Sequence, residues 1–138
     1  AAVVDDGHGM DYDEFVRGCH LGVFPSYYEP WGYTPLESMA RGVPAVTSDL
    51  SGFGDYVLKN VEDYEKKGVY VINRRYRKYE ESAAQLADLL FNFVHLQRHN
   101  RIQMRNEVER SALIFDWENL TSYYEKAYTL ALERLQHA

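Results

Sequence analysis

"LGVFPSYYEPWGYTPLESMARGVPAVTSD", residues 21–49, sets two short apolar runs on either side of a turn rich in aromatic residues, proline and glycine. The first run, LGVFPS (21–26), is nearly continuous, ends around Pro25 and reads as a buried parallel strand. The second, VPAVTSD (43–49), is β-branched and reads the same way. Between them, TPLESMARG predicts a short helix, with Thr34 able to cap it, Pro35 suited to its first position and Gly42 to a left-handed stop. Strand, helix and strand in that order predict a parallel pair joined by a crossover.

Working outward, GVYVIN (68–73) supplies a third strand, separated from the second by the glycine-containing SGFG and a charged stretch around VEDYEKKG. A helical-looking DYDEFVRGCH (11–20) precedes the first. Three strands make only part of a doubly wound sheet, which binds ligands at the carboxyl ends of its strands. The quoted turn lies at such an end.

Beyond Glu80 the period changes. Ala83, Leu86, Leu90 and Val94 recur at helical spacing, and Leu120, Tyr124, Ala127, Ala131 and Leu135 do so after FDW, where Asp116 is the expected cap. The fold class is therefore α/β: a partial parallel sheet followed by long C-terminal helices, with residues 1–79 as one segment and 80–138 as the other.

The 138 residues suffice for one domain with a modest core. An apolar fraction of 46% and a charged fraction of 26% are ordinary for a globular protein, and no apolar run approaches the roughly 20 residues that span a bilayer. Nothing resembles a secretion signal, so a cytoplasmic setting is the default expectation. The single cysteine, Cys19, cannot form an internal disulfide, and without a second ligand pair at zinc spacing Cys19-His20 predicts no metal site. A net charge of −6 argues against broad binding to nucleic acid. The opening AAVVDDGHGM lacks an initial methionine, so the chain is expected to be a piece of a longer protein.

Two glutamates, Glu29 and Glu37, stand eight positions apart across the turn. Thr34-Pro35-Leu36-Glu37 fits a capping box, which would give Glu37 a purely structural task. The same geometry also permits chemistry. A helix start preceded by Gly32 exposes free amides and a positive dipole end, against which a phosphate could sit at Gly32, Tyr33 and Thr34. A carboxylate one turn inside could accept hydrogen bonds from sugar hydroxyls. Glu29 would face the same cleft, or else be a solvated loop residue, and Trp31, Tyr27 and Tyr28 could equally be packing residues.

RGCHLGVFPSYYEPWGYTPLESMARGVPAVTSDLSGFG (17–54) resembles the nucleotide-binding half of the eukaryotic-type glycogen synthases, retaining glycosyltransferases of the GT-B fold. The likeness continues through GVYVINRRYR and DWENLTSYYEKA. The family's E-x7-E element falls on Glu29 and Glu37. The resemblance implies transfer of glucose from UDP-glucose to an α-1,4-glucan without a cofactor, with Glu29 near the transferred glucose and Glu37 on the ribose hydroxyls. It also implies that Trp31, Gly32, Tyr33 and Thr34 shape the pocket, with backbone amides meeting the outer phosphate, and that Tyr12 stacks on uracil. Because the family's retention mechanism is usually described without a protein nucleophile, Glu29 is assigned an electrostatic role. The family's acceptor half and its upstream diphosphate-clamping cations are not among these residues, so the chain is expected to be inactive alone.

Arg98, Arg101 and Arg105 share one helical face. The resemblance implies a glucose 6-phosphate site there, assisted by His20, and arginine's planar donors suit phosphate. His99 and Glu107 stand where eukaryotic members usually carry arginine, so a solvated basic stripe is the competing reading. Another GT-B enzyme of the sucrose synthase type would keep the same glutamates, and a non-catalytic module would use the long helices as an oligomerisation surface.

Overall fold

Four consecutive buried residues, Ala45–Ser48, form the middle of the sheet. In the computed structural model, which describes Gly9 and residues 11–136, this strand (β2) lies between β1 (Gly22–Val23) and β3 (Val69–Ile72). Both pairings are parallel, with Val23 opposite Val46 and Val46 opposite Tyr70. A strand covered on both faces must be apolar or hydrogen-bonded throughout. Ala45 and Val46 satisfy the first condition; Thr47 and Ser48 satisfy the second, through Ser51 Oγ (2.8 Å) and the Ser26 carbonyl. The partial doubly wound α/β architecture expected from the sequence is the one observed. The opening AAVVDDGH, Met10 and the last two residues lie outside the described part of the chain.

The elements run α1 (Tyr12–Gly18), β1, α2 (Tyr33–Ala40), β2, α3 (Gly52–Asn60), β3, α4 (Tyr79–Val94), α5 (Arg98–Ala112), a 3₁₀ turn (Leu113–Phe115) and α6 (Trp117–Gln136). The core gathers Met39 of α2, Phe53 and Val57 of α3, Val69 and Val71 of β3, Val108 of α5 and Phe115. Helix α5 lies against α2, and its Val108 packs on the start of β3 so closely that a Cβ at Gly68 would meet Val108 Cγ2 at 1.9 Å.

Several local expectations are corrected. The first strand is only two residues long, because the chain turns after Phe24 into the loop that reaches Glu29. Helix α2 begins two residues earlier than a cap at Thr34 predicts: its N-cap is Gly32, at φ 101°, a left-handed conformation that glycine adopts at least cost. Tyr33, Thr34 and Pro35 then fill the first turn, where proline's missing amide would have been unpartnered anyway. No side chain caps α2, so the Thr34–Glu37 capping box does not form. Its other end agrees with expectation, Gly42 following Arg41 at φ 71°.

The segment SGFG opens α3 rather than a loop. Ser51 caps it, accepting from the Gly54 amide at 3.0 Å. Two glycines at a helix start read as breakers, but close packing requires them: a Cβ on Gly52 would lie 2.0 Å from the Pro30 carbonyl oxygen, and one on Gly54 2.0 Å from that of Ser48.

Among the described residues, the C-terminal half holds three α-helices. On α4 the buried residues are Ser82 and Phe93, with Leu86 and Leu90 half-buried and Val94 exposed. Asp116 precedes α6 as expected, its carbonyl accepting from Leu120 and its carboxylate from Trp117. Along α6 only Leu120 is half-buried among the residues whose side chains are described, while Tyr124, Tyr128, Leu132 and Leu135 face outward.

Candidate functional site

The loops leaving β1, β2 and β3 meet at the carboxyl edge of the sheet. Glu29, in the first, is held on both sides of its backbone: its amide donates to Leu50 O (3.4 Å), its carbonyl accepts from Gly52 N (3.0 Å), and it forms an isolated parallel bridge with Ser51. Its half-buried carboxylate accepts from Ser26 Oγ at 2.7 Å through Oε2. Gly32 lies directly beside it, since a Cβ there would come within 3.2 Å of Oε2. The carboxylate thus stands at the start of α2, among amides that have no intrahelical partner.

Two residues on, Trp31 is tied in by its carbonyl, which accepts from Phe53 N at 2.7 Å. Its ring meets Phe53 and Tyr56 edge-on, at centroid distances of 5.9 and 5.7 Å. Trp31 and Tyr33 then border an apolar groove of about 310 Å³ that continues over Leu36, Phe115 and Tyr123. Burial, together with the Tyr123 hydroxyl 3.5 Å away, pushes the Tyr56 phenol up to about 12, so Tyr56 stays neutral far above physiological pH. Thr34 and Glu37 are exposed on the first turns of α2, and among the described residues no side chain pairs with the Glu37 carboxylate.

Tyr12 belongs to α1 and is brought to α2 by Arg41. That guanidinium lies 5.4 Å from the Tyr12 ring centroid, pairs with Asp13 and donates to the Glu37 carbonyl at 2.8 Å. Tyr12 and Glu37 therefore share one neighbour, although 25 residues separate them.

The loop after β3 closes the edge from the far side. Asp49 Oδ1 accepts from the amides of Arg74 (2.8 Å) and Arg75 (3.2 Å). Arg74 Nη1 donates to Pro25 O at 2.6 Å, with the guanidinium 4.5 Å from the Tyr27 ring centroid. Ser26, Arg41 and Asp49 carry no motif of their own in the sequence. Arg74 lies in the basic run Arg74-Arg75-Tyr76-Arg77-Lys78.

The arginine face is divided by the structure. Arg105 spends its guanidinium on the carbonyls of Arg17 and Cys19, both at 2.9 Å, completing the C-terminal end of α1. This brings it within one residue of exposed His20 and borders a cleft of about 200 Å³ with Arg17, Arg41 and Glu109. Arg101 is half-buried and Arg98 exposed. Cys19 donates weakly to Phe15 O at 3.5 Å, and among the described residues no group of three or more His, Cys, Asp or Glu side chains could hold a metal ion.

Fold and edge together define a class: part of a doubly wound α/β domain, with the candidate site at the carboxyl ends of the strands, where such sheets bind ligands. The glycogen synthase family model matches residues 4–138, and the chain belongs to that family. It is 53% identical over 127 residues to a glycogen [starch] synthase of Caenorhabditis elegans, a match covering 92% of this chain and 19% of that protein. It is 51% identical over 125 residues to the liver glycogen [starch] synthase of Mus musculus, covering 91% and 18%. Over 128 residues it is 51% identical to isoform 1 of the Saccharomyces cerevisiae enzyme, again covering 91% and 18%. The chain thus spans about a fifth of the length of the curated relatives it matches.

Proposed function

We propose that this chain is the C-terminal, nucleotide-sugar-binding part of a retaining glycosyltransferase of the GT-B fold, which moves glucose from UDP-glucose to the end of an α-1,4-glucan. The observation that carries this reading is the Glu29 carboxylate, fixed beside Gly32 where α2 begins. Residues 1–79 supply the donor site, and 80–138 a helical segment packed on it.

In this reading the outer phosphate of the donor meets the amides of Gly32, Tyr33 and Thr34, which stabilise negative charge as the glycosidic bond breaks. Glu29 faces the sugar. Its negative charge favours the oxocarbenium-like character that builds on the glucose, and no bond forms between the two. Glu37, released from capping, accepts from the ribose hydroxyls, Tyr12 stacks on the uracil, and Trp31 forms one wall of the pocket. The acceptor glucan and the remaining diphosphate contacts belong to other parts of the complete polypeptide, so the 138 residues alone are inactive. The complete protein works in the cytoplasm and assembles as a homo-oligomer.

Glucose 6-phosphate is the proposed ligand of His20, Arg98, Arg101 and Arg105. Arg105 serves that site chiefly by holding the end of α1 in place, since its donors already meet backbone. The test is a melting series with glucose 6-phosphate on the complete protein, using inorganic sulfate as a charge control. A bound ligand at one hundred times its dissociation constant adds about 2.7 kcal/mol to stability. Replacing Arg98 and Arg101 together should abolish the shift, and a wild type that never shifts leaves the face a solvated stripe. The transfer reaction is tested by glucose incorporation into glycogen from UDP-glucose: the complete protein should support it and Glu29→Ala should not.

A further inference from the structure

We propose that Ser26 is a positioning residue for Glu29 and that, through it, Ser48 ties the reacting carboxylate to the centre of the sheet. The inference rests on the assignment of Glu29 above and extends it to the groups that aim its side chain. Ser26 Oγ donates to Glu29 Oε2 at 2.7 Å. The Ser26 carbonyl in turn accepts from Ser48 Oγ, and Ser48 is fully buried in β2. Ser48 is held again from below: its carbonyl accepts from Ser51 Oγ at 2.9 Å, and Ser51 Oγ also meets Thr47 Oγ1 at 2.8 Å. Serine hydroxyls and backbone carbonyls therefore link the strand interior, through Ser48 and Ser26, to one oxygen of the carboxylate.

A glutamate has three rotatable side-chain bonds and loses substantial freedom when fixed. Its backbone bonds to Leu50 and Gly52 place the Cα and leave those rotors free. The Ser26 hydroxyl is the donor that fixes the outer end. Oε2 is thus both the oxygen that Ser26 holds and the one beside Gly32, and among the described residues no hydrogen bond engages Oε1. Removing the donor should therefore lower the share of molecules with the carboxylate aimed at the sugar, while the nucleotide contacts at Tyr12 and Glu37 remain. That is a loss in turnover rather than in donor binding.

The test uses the complete polypeptide with UDP-glucose and glycogen. Ser26→Ala should lower kcat on the order of tenfold, as loss of a hydrogen bond to a charged group does, with KM for UDP-glucose changed less than about twofold and an unchanged melting temperature. Ser26→Thr, which keeps the hydroxyl, should restore most of the rate. In a Glu29→Gln background, Ser26→Ala should cause little further loss, because both changes act through one group. Wild-type kcat in Ser26→Ala, a rise in KM alone, or additive losses in the double variant would each overturn the proposal. Should Ser26→Ala not fold, Ser26→Cys, similar in shape but a weak donor, is judged by the same criteria. The two assignments remain separable: wild-type turnover in Glu29→Gln defeats the reading of Glu29 itself, whereas an impaired Glu29→Gln beside a fully active Ser26→Ala defeats only the role of Ser26.

Discussion

The carboxyl edge of the sheet and helix α6 are opposite cases within one chain. At the edge, polar groups from three loops satisfy one another: Asp49 holds the Arg74 and Arg75 amides, Arg74 holds Pro25, Ser48 holds Ser26, and Ser26 holds Glu29. Along α6, by contrast, Tyr128, Leu132 and Leu135 are exposed, at 66%, 61% and 74%. The edge is determined by the chain's own contacts. The helix is determined only locally, by its cap and its period, with contacts to Phe115 and Tyr56 near its start. Chemistry that needs fixed geometry belongs to the first kind of region.

The largest break in this comparison is expected at Gly54. An alanine there would place its Cβ 2.0 Å from Ser48 O, forcing α3 away from the strand that anchors the edge. Gly54→Ala should cost more than about 3 kcal/mol in denaturant unfolding, beyond the usual range for a single change. A loss under about 1 kcal/mol would mean that the strand and helix are less tightly joined than described.

Burial separates the two regions next. Val46→Ala, in a strand residue with no exposure, should destabilise the chain by about 1–3 kcal/mol. Leu135→Ala should change the stability of the 138-residue chain by less than about 0.5 kcal/mol. Equal losses at the two positions would erase the contrast.

A smaller effect is expected from the strap over the edge. Arg74→Ala removes the donor to Pro25 and the stack on Tyr27, both partly solvated, and should cost about 1 kcal/mol of stability. The smallest concerns Tyr56. Its folded pKa of about 12 lies above the ordinary 10, so folding favours the protonated phenol. The associated stability is full below pH 10 and is lost as pH rises toward 12. Tyr56→Phe should remove this part of the alkaline dependence, measurable as a flatter melting profile between pH 10 and 12.

Much of the edge was legible from sequence because its signals are local. The apolar run 43–49 announced β2, Gly42 announced the end of α2, and the proline, glycine and aromatic residues of 27–33 announced the turn. What escaped was tertiary. The glycines of SGFG marked only a separation between strands, and the reason for Gly52 and Gly54 lies in Pro30 and Ser48 pressed against them. The capping box at Thr34 lost to Gly32, because the chain enters α2 at φ 101°, a left-handed conformation that glycine adopts at least cost. Ser26 with Ser48, and Pro25 with Arg74, join residues 22 and 49 positions apart, which no periodicity can pair. Helix α6 shows the converse limit, since its period predicted an apolar face without naming what that face meets.

The most direct measurement is steady-state kinetics of Glu29→Gln and Glu37→Gln in the complete polypeptide, with UDP-glucose as donor and glycogen as acceptor. Glu29→Gln should lower kcat by about 10²–10³ with little change in KM, as removal of a preorganised electrostatic group does. Glu37→Gln should instead raise KM for UDP-glucose by about tenfold or more, the loss of a hydrogen bond to a charged acceptor. Wild-type turnover in Glu29→Gln, with normal folding, would contradict the account.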